Sequence, residues 1–134
     1  MAGKFPVEKS DAQWRSALTP EQHRVLRERG TERPGSSPLN GERRKGDYLC
    51  AACDQALFRS EAKFDAHCGW PSFTQAAQGA VETETDRSHG MTRTEVHCAR
   101  CGGHLGHVFP DGPAPAGLRY CMNGAALRFE PDKA

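Results

Sequence analysis

The spacing of apolar and polar positions divides this chain into two parts. Up to about residue 30 the signals are helical. Ser10 is followed three residues later by Gln13, and Thr19 by Gln22, each the pattern in which two side chains cap a helix start reciprocally. Pro20 occupies the first helical position, where its missing N–H costs nothing, and Gly30 follows Arg29 where a left-handed cap would close the helix. A helix is therefore predicted from about Pro20 to Arg29, with a shorter one before it inside 10–30. The stretch 31–46 holds Pro34, Gly35, Ser36, Ser37, Pro38, Asn40, Gly41 and the cluster Glu42-Arg43-Arg44-Lys45, and with little apolar content to anchor it a mobile surface loop is expected. From Asp47 onward short alternations replace the helical period. Thr92 to His97, Ala80 to Thr85 and Leu118 to Asn123 all read as strands. The last puts Arg119, Cys121 and Asn123 on one face and Leu118, Tyr120 and Met122 on the other. No helix-length segments separate these strands, so the fold class is mainly β, with antiparallel sheets after short N-terminal helices.

At 134 residues the chain is one domain, 1–134, with a β core over 47–129. Its 18 Lys and Arg against 17 Asp and Glu leave a formal net charge of +1, which gives no electrostatic footprint for nucleic acid or an anionic membrane. No apolar run is long enough for a transmembrane helix. The segment Met1 to Lys9 lacks the apolar core of a secretory signal, so a cytoplasmic location is the expectation. In a reducing compartment, six cysteines point to metal binding or redox chemistry rather than to three disulfides.

Their spacing separates four from two. Cys50-Ala51-Ala52-Cys53 and Cys98-Ala99-Arg100-Cys101 are matched Cys-x-x-Cys knuckles, and Gly102-Gly103 after the second relieves crowding where N–H groups turn toward sulfur. Four such thiols suit one tetrahedral zinc, clipping distant parts of the domain together. A thioredoxin-like redox pair would need a βαβ context that is absent here. Cys68 and Cys121 stand apart. A lone cysteine is by default a small buried hydrophobe, but Cys121 shares its strand face with Arg119, which would favour a thiolate, and with Asn123, which could orient a substrate. His104-Leu105-Gly106-His107 lacks the spacing and glutamate of a helical metalloprotease pair. Two histidines separated by a turn beside a thiol suit proton donors or orienting groups, while structural histidines or an iron site completed by Asp111 stay open. Trp70, between Gly69 and Pro71, is expected to be held rigid on a loop. Val108 to Pro113, with Phe109 and Asp111, reads as turn-rich.

Taken together, Cys68-Gly69-Trp70-Pro71-Ser72-Phe73, His104-Leu105-Gly106-His107-Val108-Phe109-Pro110-Asp111-Gly112 and Arg119-Tyr120-Cys121-Met122-Asn123 closely resemble the methionine-R-sulfoxide reductase B family, from about Leu18 to Phe129. The resemblance implies a β-tent of two antiparallel sheets and a structural zinc held by Cys50, Cys53, Cys98 and Cys101. It implies Cys121 as nucleophile and Cys68 as resolving cysteine, with Arg119 supporting the Cys121 thiolate. His104, His107 and Asn123 would complete the catalytic set, and Trp70 would contact the substrate S-methyl group, with Phe109 and, in a positional role, Asp111 on the substrate side. The activity implied is reduction of the R epimer of methionine sulfoxide, free or in proteins, through a sulfenic acid and a disulfide recycled by thioredoxin. Local departures are Pro34 to Lys45, which lacks an aromatic, glycine-containing stretch, Ala66-His67 before Cys68, and Gly124-Ala125-Ala126. The chemistry fits the residues: a sulfoxide sulfur is electrophilic once its oxygen is protonated, so a site needs a thiolate, an acid and an apolar wall. The competing class, a zinc-ribbon adaptor for protein or nucleic acid, gives no work to Cys68, Cys121 or the histidines.

Overall fold

The structure, a computed structural model, describes residues 6–66, 68–87, 90–114 and 117–132. His67, singled out above, and Met1 to Phe5 of the segment read for a signal lie outside them. Both helix starts form as expected: α1 (Asp11–Ala17) and α2 (Pro20–Glu28) each carry a complete capping box, from Ser10 with Gln13 and from Thr19 with Gln22. The helix end differs. The left-handed residue is Arg29, with φ 58°, rather than Gly30. Gly30 is needed for a different reason, because its N–H bonds the Arg24 carbonyl and a Cβ there would sit 3.0 Å from that oxygen. Arg29 meanwhile sends its guanidinium to Glu95 at 2.6 Å, an ion pair unavailable to a glycine at that position.

Among the described residues nine strands follow: β1 (Gly46–Cys50), β2 (Ala56–Arg59), β3 (Lys63–Phe64), β4 (Ser72–Phe73), β5 (Val81–Asp86), β6 (Arg93–Cys98), β7 (His104–Phe109), β8 (Arg119–Met122) and β9 (Leu127–Pro131). They form two antiparallel sheets, ordered β2-β1-β9 and β3-β4-β8-β7-β6-β5. The three strands expected from alternation are β5, β6 and β8, each beginning one residue later than anticipated.

The sheets meet through aromatic rings. Phe58 on β2 stacks on Phe73 of β4 at 4.3 Å between centroids, and Tyr48 on β1 meets Phe73 edge-on at 5.0 Å. Tyr48, Phe58, Phe73, Leu57, Leu105 and Met122 are fully buried. Such ring pairs add to the burial of apolar surface that drives the sheets together. Val25 and Leu26 of α2 are buried in the same core.

Segment 31–46 is tied to the core at several points. Glu32 is only 3% exposed, and its carboxyl oxygens accept the N–H groups of Gly124 and Ala125 at 2.8 and 2.9 Å. Further along, the Gly35 N–H and the Asn40 side-chain amide both bond the Gly69 carbonyl. The polar composition concealed this anchor because a buried carboxyl with two backbone donors costs little, whereas an unpaired one would be excluded from a core.

Candidate active site

The six-stranded sheet has one apolar face and one polar face, and cross-strand pairing assembles the polar one. Pairing sets Ser72 beside Cys121, Cys121 beside His107, Phe109 beside Arg119, and His107 beside Glu95. Directly paired residues project to the same side of a sheet. His104 and His107 differ by three in number and would face opposite ways on a regular strand. They share a face because Leu105 is an extra residue where His97 pairs with His104 while Val96 pairs with Gly106, a β-bulge that reverses the alternation. The His104-Leu105-Gly106-His107 segment is thus a bulged strand, not the turn expected from its glycine, and Val108 and Phe109 likewise lie in β7 rather than in a turn. Gly106 is required by close packing, since a Cβ there would run into the Cys121 carbonyl.

A pocket of roughly 290 Å³ opens over this face, lined by Thr31, Cys68, Trp70, Arg93, Gly106, His107, Phe109, Arg119, Cys121 and Asn123. Seven of the nine expected site residues outside the knuckles therefore come together. His104 and Asp111 do not line the pocket. His104 is buried behind it, with Nδ1 2.7 Å from Glu95 and its ring 5.5 Å from that of His107. Asp111 is exposed and holds Arg119 through two hydrogen bonds of 2.8 and 3.2 Å, and the Arg119 guanidinium lies 4.5 Å from the Phe109 ring centre.

Each wall residue is fixed by a specific partner. The Trp70 indole N–H donates to the Glu32 carbonyl at 3.0 Å. Asn123 accepts the Glu32 N–H on Oδ1 and donates from Nδ2 to the Leu105 carbonyl. His107 Nε2 lies 2.7 Å from Asp86, which also receives Arg93. Burial holds the His107 ring below the ordinary imidazole value against the opposing pull of Asp86.

Cys68 and Cys121 carry free thiols with their sulfurs 3.6 Å apart. The two titrate as a pair. Burial first, then the neighbouring Cys68, push the Cys121 thiol up to about 12, and Arg119, which pulls it down, is outweighed. Burial also raises Cys68, but hydrogen bonds from Ser72, the backbone at Trp70 and Cys121, with the charge of Arg119, leave it below the ordinary thiol value. Of the two thiols, Cys68 is the one held lower.

The four knuckle cysteines form a separate cluster at the end of β1 and the β6–β7 turn. All four sulfurs lie within 4.8 Å of one another, with 3.7 Å between Cys50 and Cys101 and 3.6 Å between Cys53 and Cys98. A tetrahedron of thiolates around an ion at about 2.3 Å has edges of about 3.8 Å, so the set fits a metal. The knuckles are built alike: Asp54 and Gly102 both adopt positive φ, and their N–H groups bond the Cys50 and Cys98 carbonyls. The Arg100 and Gly103 N–H groups point at sulfur. Among the described residues, the histidine pair and Asp111 do not form a metal-binding group.

A model of the SelR domain matches residues 18–131. The peptide methionine sulfoxide reductase MsrB of Agrobacterium fabrum is 61% identical over 126 residues, covering 93% of each chain. That of Bradyrhizobium diazoefficiens is also 61% identical over 126 residues, covering 93% of this chain and 91% of its own. The chain belongs to the MsrB family of peptide methionine sulfoxide reductases. The MsrB of Leptospira interrogans, 53% identical over 127 residues, covers 94% of this chain and 97% of its own, so the family match extends over nearly the whole length. The chain is thus an enzyme of that family, and the adaptor reading falls away. No helix among the described residues is long and apolar enough to cross a membrane.

The sequence reading missed Glu32, Glu95, Asp86 and Arg93. The carboxylates hold Asn123's neighbours, His104 and His107 in turn, and Arg93 lines the pocket with an Nε that has no hydrogen-bond partner. For Glu95 a signal existed in its alternating strand, where a lone carboxylate stands between Thr94 and Val96. For Glu32, inside a polar stretch, there was none.

Proposed function

We propose that this chain reduces the R epimer of methionine sulfoxide, free or within oxidised proteins, with Cys121 as nucleophile and Cys68 as resolving thiol. The observation that carries the reading is the pair of free sulfurs 3.6 Å apart in a pocket walled by Trp70 and Phe109. The substrate methyl group packs on Trp70, whose ring is held by its bond to Glu32. Cys121 attacks the sulfoxide sulfur while the oxygen takes up a proton through His107, and the oxygen passes to Cys121, leaving a sulfenic acid and releasing methionine. Proton loss from Cys121 is the demanding step, and Arg119, kept in place by Asp111, favours it. His104 positions the His107 ring from behind, oriented by Glu95. The Cys68 thiol then condenses with the sulfenic acid, giving a disulfide and water, and a dithiol such as thioredoxin takes over the disulfide and restores both thiols.

Cys50, Cys53, Cys98 and Cys101 would hold a structural zinc, which joins β1 of one sheet to β6 and β7 of the other and adds folding energy without touching the substrate. A reducing cytoplasm suits this recycling. The test is turnover of the two separated sulfoxide epimers with a thioredoxin system. Wild type consumes the R and not the S epimer, and Cys121→Ser consumes neither. R-epimer turnover retained in Cys121→Ser would place the nucleophile elsewhere.

A further inference from the structure

Cys68 stands between two cavities, and Cys121 reaches only one of them. The first is the substrate pocket. The second, of roughly 320 Å³, is lined on its far side by Asn40, Gly41, Arg43, Lys63 and Phe64, and on its near side by the segment from Cys68 to Ser72. Cys68 and Trp70 line both. Thiol–disulfide exchange is a displacement in which the attacking sulfur, the attacked sulfur and the leaving sulfur lie roughly in line. Cys121 lines only the substrate pocket, so attack on it would come through that pocket, whereas Cys68 also lines the second cavity, from which it can be attacked with Cys121 leaving.

We propose that this second cavity is the docking site of the protein dithiol that recycles the enzyme, whose thiol-bearing loop enters past Gly41 and Arg43 to attack Cys68, with Lys63 held on the Asn40 carbonyl at the side of the mouth. The inference rests on the recycling disulfide of the preceding section. The charges at the mouth suit that occupant. Arg43 has no ion-pair partner among the described residues, whereas the neighbouring Arg44 is held by Glu42. Together with Lys63, and with Asp65 the one carboxylate on this rim, Arg43 leaves the mouth favourable to an attacking thiolate. In the exchange the dithiol's thiolate bonds to Cys68 Sγ as the Cys68–Cys121 bond breaks, and Cys121 leaves as a thiolate beside Arg119. The dithiol's second thiol then displaces Cys68, so the partner leaves oxidised and both enzyme sulfurs are reduced.

Gly41 offers a direct test, because a side chain there meets open space and its φ is not in the left-handed region. Wild type, Gly41→Trp and Arg43→Glu are first given one equivalent of sulfoxide, then assayed with thioredoxin or with dithiothreitol as reductant. Methionine release in the first turnover and formation of the Cys68–Cys121 cross-link should match wild type in both variants. Obstruction of the mouth in Gly41→Trp should lower kcat/KM for thioredoxin about tenfold, and charge reversal in Arg43→Glu should raise the KM for thioredoxin about threefold or more with a weakened salt dependence. Dithiothreitol, small enough for either route, should support both variants within about twofold of wild type. If the cross-link forms and thioredoxin reduces it equally well in all three proteins, or if dithiothreitol turnover falls in step with thioredoxin turnover, the docking site is refuted while the cycle stands. If no Cys68–Cys121 cross-link forms in wild type, the recycling reading and the docking site fall together.

Discussion

Replacing Glu32 with alanine removes one side chain and leaves two backbone donors exposed in the interior. The Gly124 and Ala125 N–H groups bond its carboxyl at 2.8 and 2.9 Å, and both begin the turn directly after Asn123. Gly124 is covered by the Ser37 side chain, so water has little room to replace the lost acceptor there, while Ala125 is only half-buried. A buried donor left unpaired costs about 1 to 3 kcal/mol, and with Ala125 at the low end the sum is about 2 to 4 kcal/mol. That is a large part of the roughly 5 to 15 kcal/mol by which a domain is stable. At about 3 to 5 °C per kcal/mol for a domain of this length, the melting temperature should fall by about 6 to 20 °C. Urea unfolding at unchanged m-value measures the loss directly, and Glu32→Gln, which retains one acceptor oxygen, should fall between wild type and Glu32→Ala. The backbone bonds from Glu32 to Asn123 and Trp70 survive either substitution, so lost stability should come with a reduced but measurable kcat. A Glu32→Ala protein within about 1 kcal/mol of wild type would refute the reasoning, because the two N–H groups would then be satisfied without the carboxyl.

Metal analysis of the purified protein should find zinc held at the knuckles, retained in Cys121→Ser and lost in Cys50→Ser, and its removal should lower thermal stability because binding energy at a four-thiolate site is folding energy. Limiting iodoacetamide near neutral pH should label Cys68 ahead of Cys121, since Cys68 is held below the ordinary thiol value and Cys121 is pushed up to about 12. As pH rises the Cys68 thiolate forms first, and equal labelling of both thiols by peptide mapping would contradict this order. Gly106→Ala should displace β8 from β7, because a Cβ there collides with the Cys121 carbonyl, and both folded yield and turnover should be lost.

How much of this was legible in the sequence depended on how local the cause was. The helix starts were, because a capping box is written within four residues, and so was the polar face of β8, because alternation is enough to group Arg119, Cys121 and Asn123. The helix end was misjudged by one residue: the left-handed position fell to Arg29, which has a distant partner in Glu95, and sequence distance hides such a partner. The short strands β3 and β4 escaped because two residues carry no period. Their existence depends on β8, to which β4 is paired.

The histidines show the limit most plainly. Their residue types announced proton chemistry, yet a glycine between them suggested a turn. What makes them neighbours on one face is the extra residue Leu105, whose side chain is fully buried in the core while its carbonyl takes both the backbone and the side-chain N–H of Asn123. A bulge is the outcome of two demands on one position, a hydrophobic anchor inward and a carbonyl toward β8, and neither demand is visible until β8 is in place. The same holds for Glu32, whose carboxyl, N–H and carbonyl serve the turn after β8, Asn123 and Trp70 respectively. The proposed catalytic residues were read from their type and their strand face, whereas Glu32 acquires its positioning role only through contacts 38 to 93 positions away.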